Sequence, residues 1–179
     1  AKAFDKVDHQ ILLEKLKAFN IGGKLHKWLA EYLSNRRQTV VIQGTKSCEA
    51  EVHSGVPQGT VLGPVLFLLY INDLNTYIKD CTVSSFADDT RVKRQISSES
   101  DVNILQDAVI SSAIWSRENN MILHEHKFEL LSHSVGKKPT SDLPFSNKYF
   151  EYETLSGQLI EASYIVRDLG IHITPEVSW

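Results

Sequence analysis

Apolar positions recur at helical spacing along the first part of the chain. Leu12, Leu16 and Phe19 share one face of a helix that Asp8 can cap and that Asn20-Ile21-Gly22-Gly23 ends. Leu25, Trp28, Leu29, Tyr32 and Leu33 form the stripe of a second amphipathic helix. Trp28 and Trp115 both lie on such stripes and are expected in the core. The pattern then alternates. Thr39 to Gln43 reads as a strand, Gly44-Thr45-Lys46-Ser47 as a turn, and Cys48 to His53 as the returning strand. Ser54-Gly55-Val56-Pro57-Gln58-Gly59 has two glycines and a proline in one short stretch, which predicts an irregular loop. Thr60 can cap a helix from Val61 to about Leu74, apolar nearly all round and so expected to be buried under a sheet.

The second half begins with two strand-type runs, Cys81 to Phe86 and Thr90 to Ile96, on either side of Ala87-Asp88-Asp89. Ser97 to Ser100 can cap a third amphipathic helix carrying Val102, Leu105, Val109 and Ala113. Met121-Ile122-Leu123 and Phe128 to Ser132 read as strand pieces. Residues 134–146 form the most loop-like segment. Lys148 to Ile173 reads as a small meander with a turn at Ser156-Gly157. Helices and antiparallel strands alternate without a regular βαβ rhythm. The expected class is therefore α+β, a small antiparallel sheet with helices packed on one face.

Composition narrows the picture. The chain is 42% hydrophobic and 23% charged, enough for a proper core, with a formal net charge of -3 that does not advertise nucleic-acid binding as a whole. Cys48 and Cys81 form no CxxC motif and suit buried small residues rather than a disulfide framework or zinc site. The longest apolar run, Val61 to Ile71, is interrupted by Gly63-Pro64 and is too short to span a bilayer. Lys24, His26, Lys27, Arg36 and Arg37 read as a solvated face ahead of a phosphate contact.

Three stretches carry candidate chemistry. Adjacent carboxylates at Asp88-Asp89 repel each other, and a divalent cation with a preference for oxygen ligands would relieve them. On those residues alone a plain Asp-Asp turn is the leading alternative. The Ser54 to Gly59 loop lets backbone approach a ligand, and Gln58 offers both a donor and an acceptor. Lys127, expected on a strand edge, could meet a phosphate or donate a proton. A glycine-bearing loop, a carboxylate pair and a lysine are parts of a two-metal phosphoryl-transfer site. Asp5 and Asp8 are the candidates for a further carboxylate, although Asp8 reads first as a helix cap and Asp5 as a cap or turn residue. His124 and His126 could be read as a metal pair, but no third or fourth zinc ligand accompanies them.

Taken together the motifs resemble the reverse transcriptase domain of non-LTR retrotransposons of the jockey-like and long-interspersed kind. Ala1-Lys2-Ala3-Phe4-Asp5-Lys6-Val7-Asp8-His9 is similar to the downstream part of the family's first palm motif. Ser54 to Pro64 is similar to its second, Phe86-Ala87-Asp88-Asp89 to its third, Trp115 to Leu131 to its fourth, and Asp168-Leu169-Gly170-Ile171 to its fifth. The resemblance implies a polymerase palm and an RNA-directed DNA polymerase using two Mg²⁺ ions. Its partners would be an RNA template, a DNA primer and deoxynucleoside triphosphates. The setting would be intracellular, in the nucleus or cytoplasm, with no membrane.

The resemblance assigns roles residue by residue. Asp88 and Asp89 would be the catalytic, metal-binding carboxylates. Phe4 would be the aromatic gate under the sugar, with Lys2 and Ala3 contacting the triphosphate through backbone. Pro57, Gln58 and Gly59 would pack on the incoming nucleotide and template base, and Lys127 would lie near the triphosphate. The family's first metal-binding aspartate would fall upstream of Ala1, and Asp5 lies on the wrong side of the gate to replace it. The chain is therefore expected to be a palm fragment that does not polymerise alone. Residues 1–133 would be palm, 134–146 a loop or insertion, and 147–179 the end of the palm and the start of the thumb connection. His124-Glu125-His126 departs from the fourth motif, where asparagine often precedes the lysine. The rival readings are an inactive retroelement remnant that at most binds nucleic acid, and another palm enzyme such as a group II intron maturase or a nucleotide cyclase.

Overall fold

The computed structural model describes residues 3–133 and 151–174. The expected 134–146 loop, Lys148 to Phe150, and Lys2 lie outside the described residues. The chain divides into two compact units, one of residues 3–77, 83–91 and 115–122, the other of residues 78–82, 92–114, 123–133 and 151–174.

The first unit is built on helices. A 3₁₀ turn, Ala3–Lys6, leads to α1 (His9–Ala18), whose N-terminus is capped as expected: the Asp8 carboxylate accepts the N–H groups of Gln10 and Ile11. Asn20, at φ 60°, turns the chain out of α1. In α2 (Gly23–Leu33) only part of the predicted stripe is inside. Leu29 and Leu33 are buried, whereas Leu25 and Trp28 are about half exposed, and Trp28 stacks on Tyr32 rather than entering the core. Then α3 (Leu62–Ile71) and α4 (Leu74–Tyr77) replace the single helix expected from Val61 to Leu74. Leu66, Phe67 and Tyr70 are buried and α3 packs on α1, but Val61, Val65 and Leu68 are exposed. The helix is apolar all round in composition yet covered on one side, and its partner is another helix rather than a sheet. Val7, Leu12, Leu16 and Val56 complete this core, together with Trp115 and Met121.

The strands between α2 and the loop at Ser54 form a narrow arm. β1 (Arg37–Gln38) pairs with β4 (Ala50–Glu51), and β2 (Val41–Ile42) with β3 (Thr45–Lys46), all exposed. The predicted hairpin is present, but it turns at Gln43-Gly44, both at positive φ, the geometry that matches the twist of paired strands. Cys48 is exposed and Cys81 half-buried, both as free thiols, so Cys48 is not the buried small residue expected.

The expected hairpin at residues 81–96 forms as β5 (Thr82–Phe86) and β6 (Asp89–Lys93), which pair with one another across Ala87-Asp88. From there α5 (Glu99–Glu118) runs close to its predicted span. Its start is organised by Asp101, whose carboxylate accepts the N–H groups of Ser97 and Ser98 and pairs with Arg94 at 2.6 Å.

In the second unit, β7 (Tyr152–Glu153) pairs with β8 (Leu159–Ile160), and β9 (Val166–Asp168) with β10 (Ile171–Ile173). Gly157 and the Leu169-Gly170 pair supply the turns at positive φ. Gln106 fastens α5 to β7 by donating to the Glu153 carbonyl and accepting the Glu153 N–H. Met121-Ile122-Leu123 is not a strand. Leu130 makes one isolated parallel bridge to Ala162.

The fold is thus a mixture of helices and small antiparallel sheets. The expected single sheet with helices on one face is not formed: among the described residues the strands make five separate two-stranded pairs. Each pair is short and largely exposed, so helix-on-helix packing supplies the core.

Candidate nucleotide and metal site

The first and second motifs meet in the first unit. The Val56 N–H donates to the Phe4 carbonyl at 2.9 Å and the Gly55 N–H to the Val7 carbonyl at 2.8 Å, while Asp8 and Ser54 form an antiparallel bridge. Gly55 is required there. Its φ is +86°, and a Cβ would lie 2.7 Å from the Asp5 Cα. The Gly55 carbonyl accepts from His9 Nε2 at 2.8 Å and from Arg36 at 3.4 Å. Phe4 is half-exposed, and its ring stacks on Phe67 with centroids 4.2 Å apart and planes 13° from parallel. A 3₁₀ turn and a helix core therefore hold one face of the ring.

Beyond Gly55 the loop is bolted to Asp5. Ser54 Oγ donates to the Asp5 carbonyl at 2.8 Å, and Gln58 Nε2 to the Asp5 carboxylate at 2.6 Å. Gln58 and Gly59 are exposed and Pro57 half-buried. Thr60 closes the loop onto α3: its hydroxyl donates to the Pro57 carbonyl and accepts the Gly63 N–H at 3.1 Å, which is the capping role predicted for it. Gly63 is pressed against the Pro57 carbonyl, so a side chain at that position would displace the loop.

Asp88 and Asp89 occupy the tip of the β5–β6 hairpin, in the same unit, and both are exposed. Ala87 carries φ 52°, and Ser85 and Thr90 hydrogen-bond across the strands at 3.0 Å. Two exposed carboxylates are a hard-oxygen donor pair of the kind magnesium takes. The donor chemistry fits, but among the described residues no group of three or more His, Cys, Asp or Glu side chains could hold a metal ion. The His124–His126 pair, with ring centroids 5.5 Å apart, likewise lacks such a group.

Lys127 is not on a strand edge. It lies exposed in the 3₁₀ turn Glu125–Lys127, where the chain is too tightly wound to join a ladder, and it belongs to the other unit.

Asp8 does not join the carboxylate pair. Burial pushes its pKa up, but the N–H groups of Ile11 and Gln10 and the Asn120 amide outweigh that and hold it below the usual aspartate value. Behind it runs a network that the sequence did not disclose. The Tyr70 hydroxyl donates to the Asn119 carbonyl and accepts the Asp8 N–H at 3.4 Å. Lys15 Nζ reaches the Tyr70 carbonyl and the Asp73 carboxylate, both at 2.6 Å, and Trp115 Nε1 donates to the same Asp73 oxygen at 2.8 Å. The clue available in the sequence was three polar groups, Lys15, Asp73 and Tyr70, on otherwise apolar helical faces.

The family model for reverse transcriptase (RNA-dependent DNA polymerase) matches residues 1–173. The chain belongs to the reverse transcriptase family. It is 34% identical over 132 residues to a probable RNA-directed DNA polymerase from transposon X-element of Drosophila melanogaster, covering 70% of this chain and 14% of that protein. It is 35% identical over 98 residues to the RNA-directed DNA polymerase from mobile element jockey of the same fly, covering 51% of this chain and 11% of the relative. A Pol polyprotein from the type-1 retrotransposable element R2 of Popillia japonica is 25% identical over 143 residues, covering 73% of this chain and 23% of the relative. These relatives make it a reverse transcriptase domain of the non-LTR retrotransposon type. The chain spans less than a quarter of the length of each of the three relatives.

Proposed function

We propose that this reverse transcriptase domain is a polymerase palm, and that its substrate face is assembled from Phe4, the Pro57-Gln58-Gly59 loop and the Asp88-Asp89 tip. The observation that carries this reading is the docking of the second motif on the first: Val56 on Phe4, and Gln58 on Asp5. That docking sets a half-exposed aromatic ring beside a loop that ends in an exposed amide, a surface suited to a sugar and a base. Asp88 and Asp89 are the metal-binding carboxylates, and the backbone of Lys2 and Ala3 contacts the triphosphate. Bound at the carboxylates, magnesium would supply charge neutralisation for the attacking oxygen and the departing pyrophosphate. The protein's own part is to orient primer, template and deoxynucleotide, and to shut out a ribose 2′-hydroxyl with the Phe4 ring. Template grip is by backbone contact and so weakens with salt.

Primer extension on oligo(dT)-primed poly(rA) with Mg²⁺ and dTTP tests the activity. Extension that disappears in Asp88→Asn supports it. The second reading, a remnant that binds template but does not extend it, is favoured by one observation: the described residues set no third carboxylate beside Asp88 and Asp89. On that reading the 179-residue chain retains salt-sensitive template binding and yields no product. In a completed enzyme Phe4→Ala should raise ribonucleotide incorporation, and unchanged sugar discrimination would sink the role given to that ring.

A further inference from the structure

We propose that Asp5 is the positioning residue for Gln58, fixing its side-chain amide so that Oε1 is the acceptor left for a ligand. This rests on the reading that Gln58 faces a nucleotide or template base. Gln58 Nε2 lies 2.6 Å from the Asp5 carboxylate. An ionised carboxylate only accepts hydrogen bonds, so the amide must turn its nitrogen toward Asp5, and a flipped amide would set two oxygens against each other. The bond is charge-assisted, which strengthens the preference. Among the described residues Oε1 has no hydrogen-bond donor.

The backbone of Asp5 holds the same loop by two further means. Ser54 Oγ donates to its carbonyl, and Gly55 lies so close that no Cβ could fit between them. Asp5 therefore acts on both ends of the stretch from Ser54 to Gln58. Loop and side chain cannot shift independently of the 3₁₀ turn that carries Phe4. A glutamine whose nitrogen is engaged in this way recognises a partner that donates, such as an amino or hydroxyl group of a nucleotide.

The test combines two readouts on the 179-residue chain. The first is the side-chain amide resonances of Gln58, assigned by their loss in Gln58→Asn. In the wild type they should stand apart from those of the other glutamines. Asp5→Ala should move them to solvent values, and Asp5→Asn, the variant to use if Asp5→Ala does not fold, should move them part of the way. The second readout is binding of oligo(dT)-primed poly(rA) with dTTP, expected to weaken about threefold to tenfold in Asp5→Ala for one exposed charge-assisted bond. Gln58→Glu places two carboxylates together and should bind worse still. Asp5→Asn combined with Gln58→Glu reverses donor and acceptor, keeps an oxygen free, and should recover most of the loss. Resonances unmoved in Asp5→Ala, or a double variant no better than Gln58→Glu alone, would overturn the proposal. Shifted resonances in a chain that binds no primer–template would instead defeat the nucleotide reading and leave Asp5 as the group that holds Gln58.

Discussion

Lys15 Nζ stands 2.6 Å from Asp73 Oδ1, with the Tyr70 ring centroid 4.7 Å away and the Trp115 ring centroid 5.1 Å away. One ammonium thus joins α1 to the segment between α3 and α4 and to the end of α5. Burial pulls the Lys15 pKa down, and the Asp73 carboxylate opposes that pull. The Asp73 side chain is about a third exposed (34%), so water screens part of the attraction. Lys15→Met keeps the apolar stem and removes the charge. It should cost about 1–2 kcal/mol after that discount, read as a lower urea midpoint with an unchanged slope.

Tyr70 gives the alkaline prediction. Burial pushes its phenol up to about 12 from 10.0. The folded state therefore holds the proton more tightly than the unfolded chain does. That stability is fully present below pH 10.0 and is lost as the pH rises through about 12. Tyr70→Phe should flatten this limb in urea melts. At neutral pH it should cost about 1–3 kcal/mol, because the Asn119 carbonyl and the Asp8 N–H lose their partner.

Asp101 governs the acid side of the other unit. The Ser97 N–H, the Ser98 hydroxyl and Arg94 hold its pKa down to about 2, against an ordinary 3.8. Its contribution is present above pH 3.8 and is lost as the pH falls through about 2. Asp101→Asn should lower the thermal midpoint at neutral pH and remove part of the decline seen on acidification. If the mutant and wild-type curves stay parallel across that range, this carboxylate is not the group responsible.

Gly55→Ala should be among the most damaging single changes in the loop. It places a Cβ 2.7 Å from the Asp5 Cα at a backbone φ of +86°. Strain and overlap together should cost about 2–4 kcal/mol. The same variant should release the side-chain amide of Gln58, which denaturation and amide resonances can follow in parallel.

Much of this was legible from residues in order. The five motifs led to the family, and Asp8, Leu12 and Leu16 led to α1, because caps and helical stripes are local signals. Trp28 and Trp115 show where local signals end: both sit on helical stripes, yet one is half exposed and the other buried, a difference set by which neighbour arrives. The Val40-Val41-Ile42 run reads as a strand from its branched side chains, but nothing covers it enough to bury it. The Lys15–Asp73 pair spans 58 positions and the Asp5–Gln58 pair spans 53. Spacings of that size carry no periodicity, so only the folded chain could bring them together.

Ala87 turns the β5–β6 hairpin at φ 52°, a conformation in which its methyl group is unfavourable and glycine would be at ease. Glycine at that point would also open many other shapes to the tip, because it has the widest choice of backbone angles. Alanine narrows that choice. The two aspartates beyond it are presented by a joint with few alternatives, so a cation held there, as proposed above, would leave less disorder to be removed. The small local penalty at Ala87 appears in the folded chain as strain, and in any binding event as entropy that does not have to be lost again.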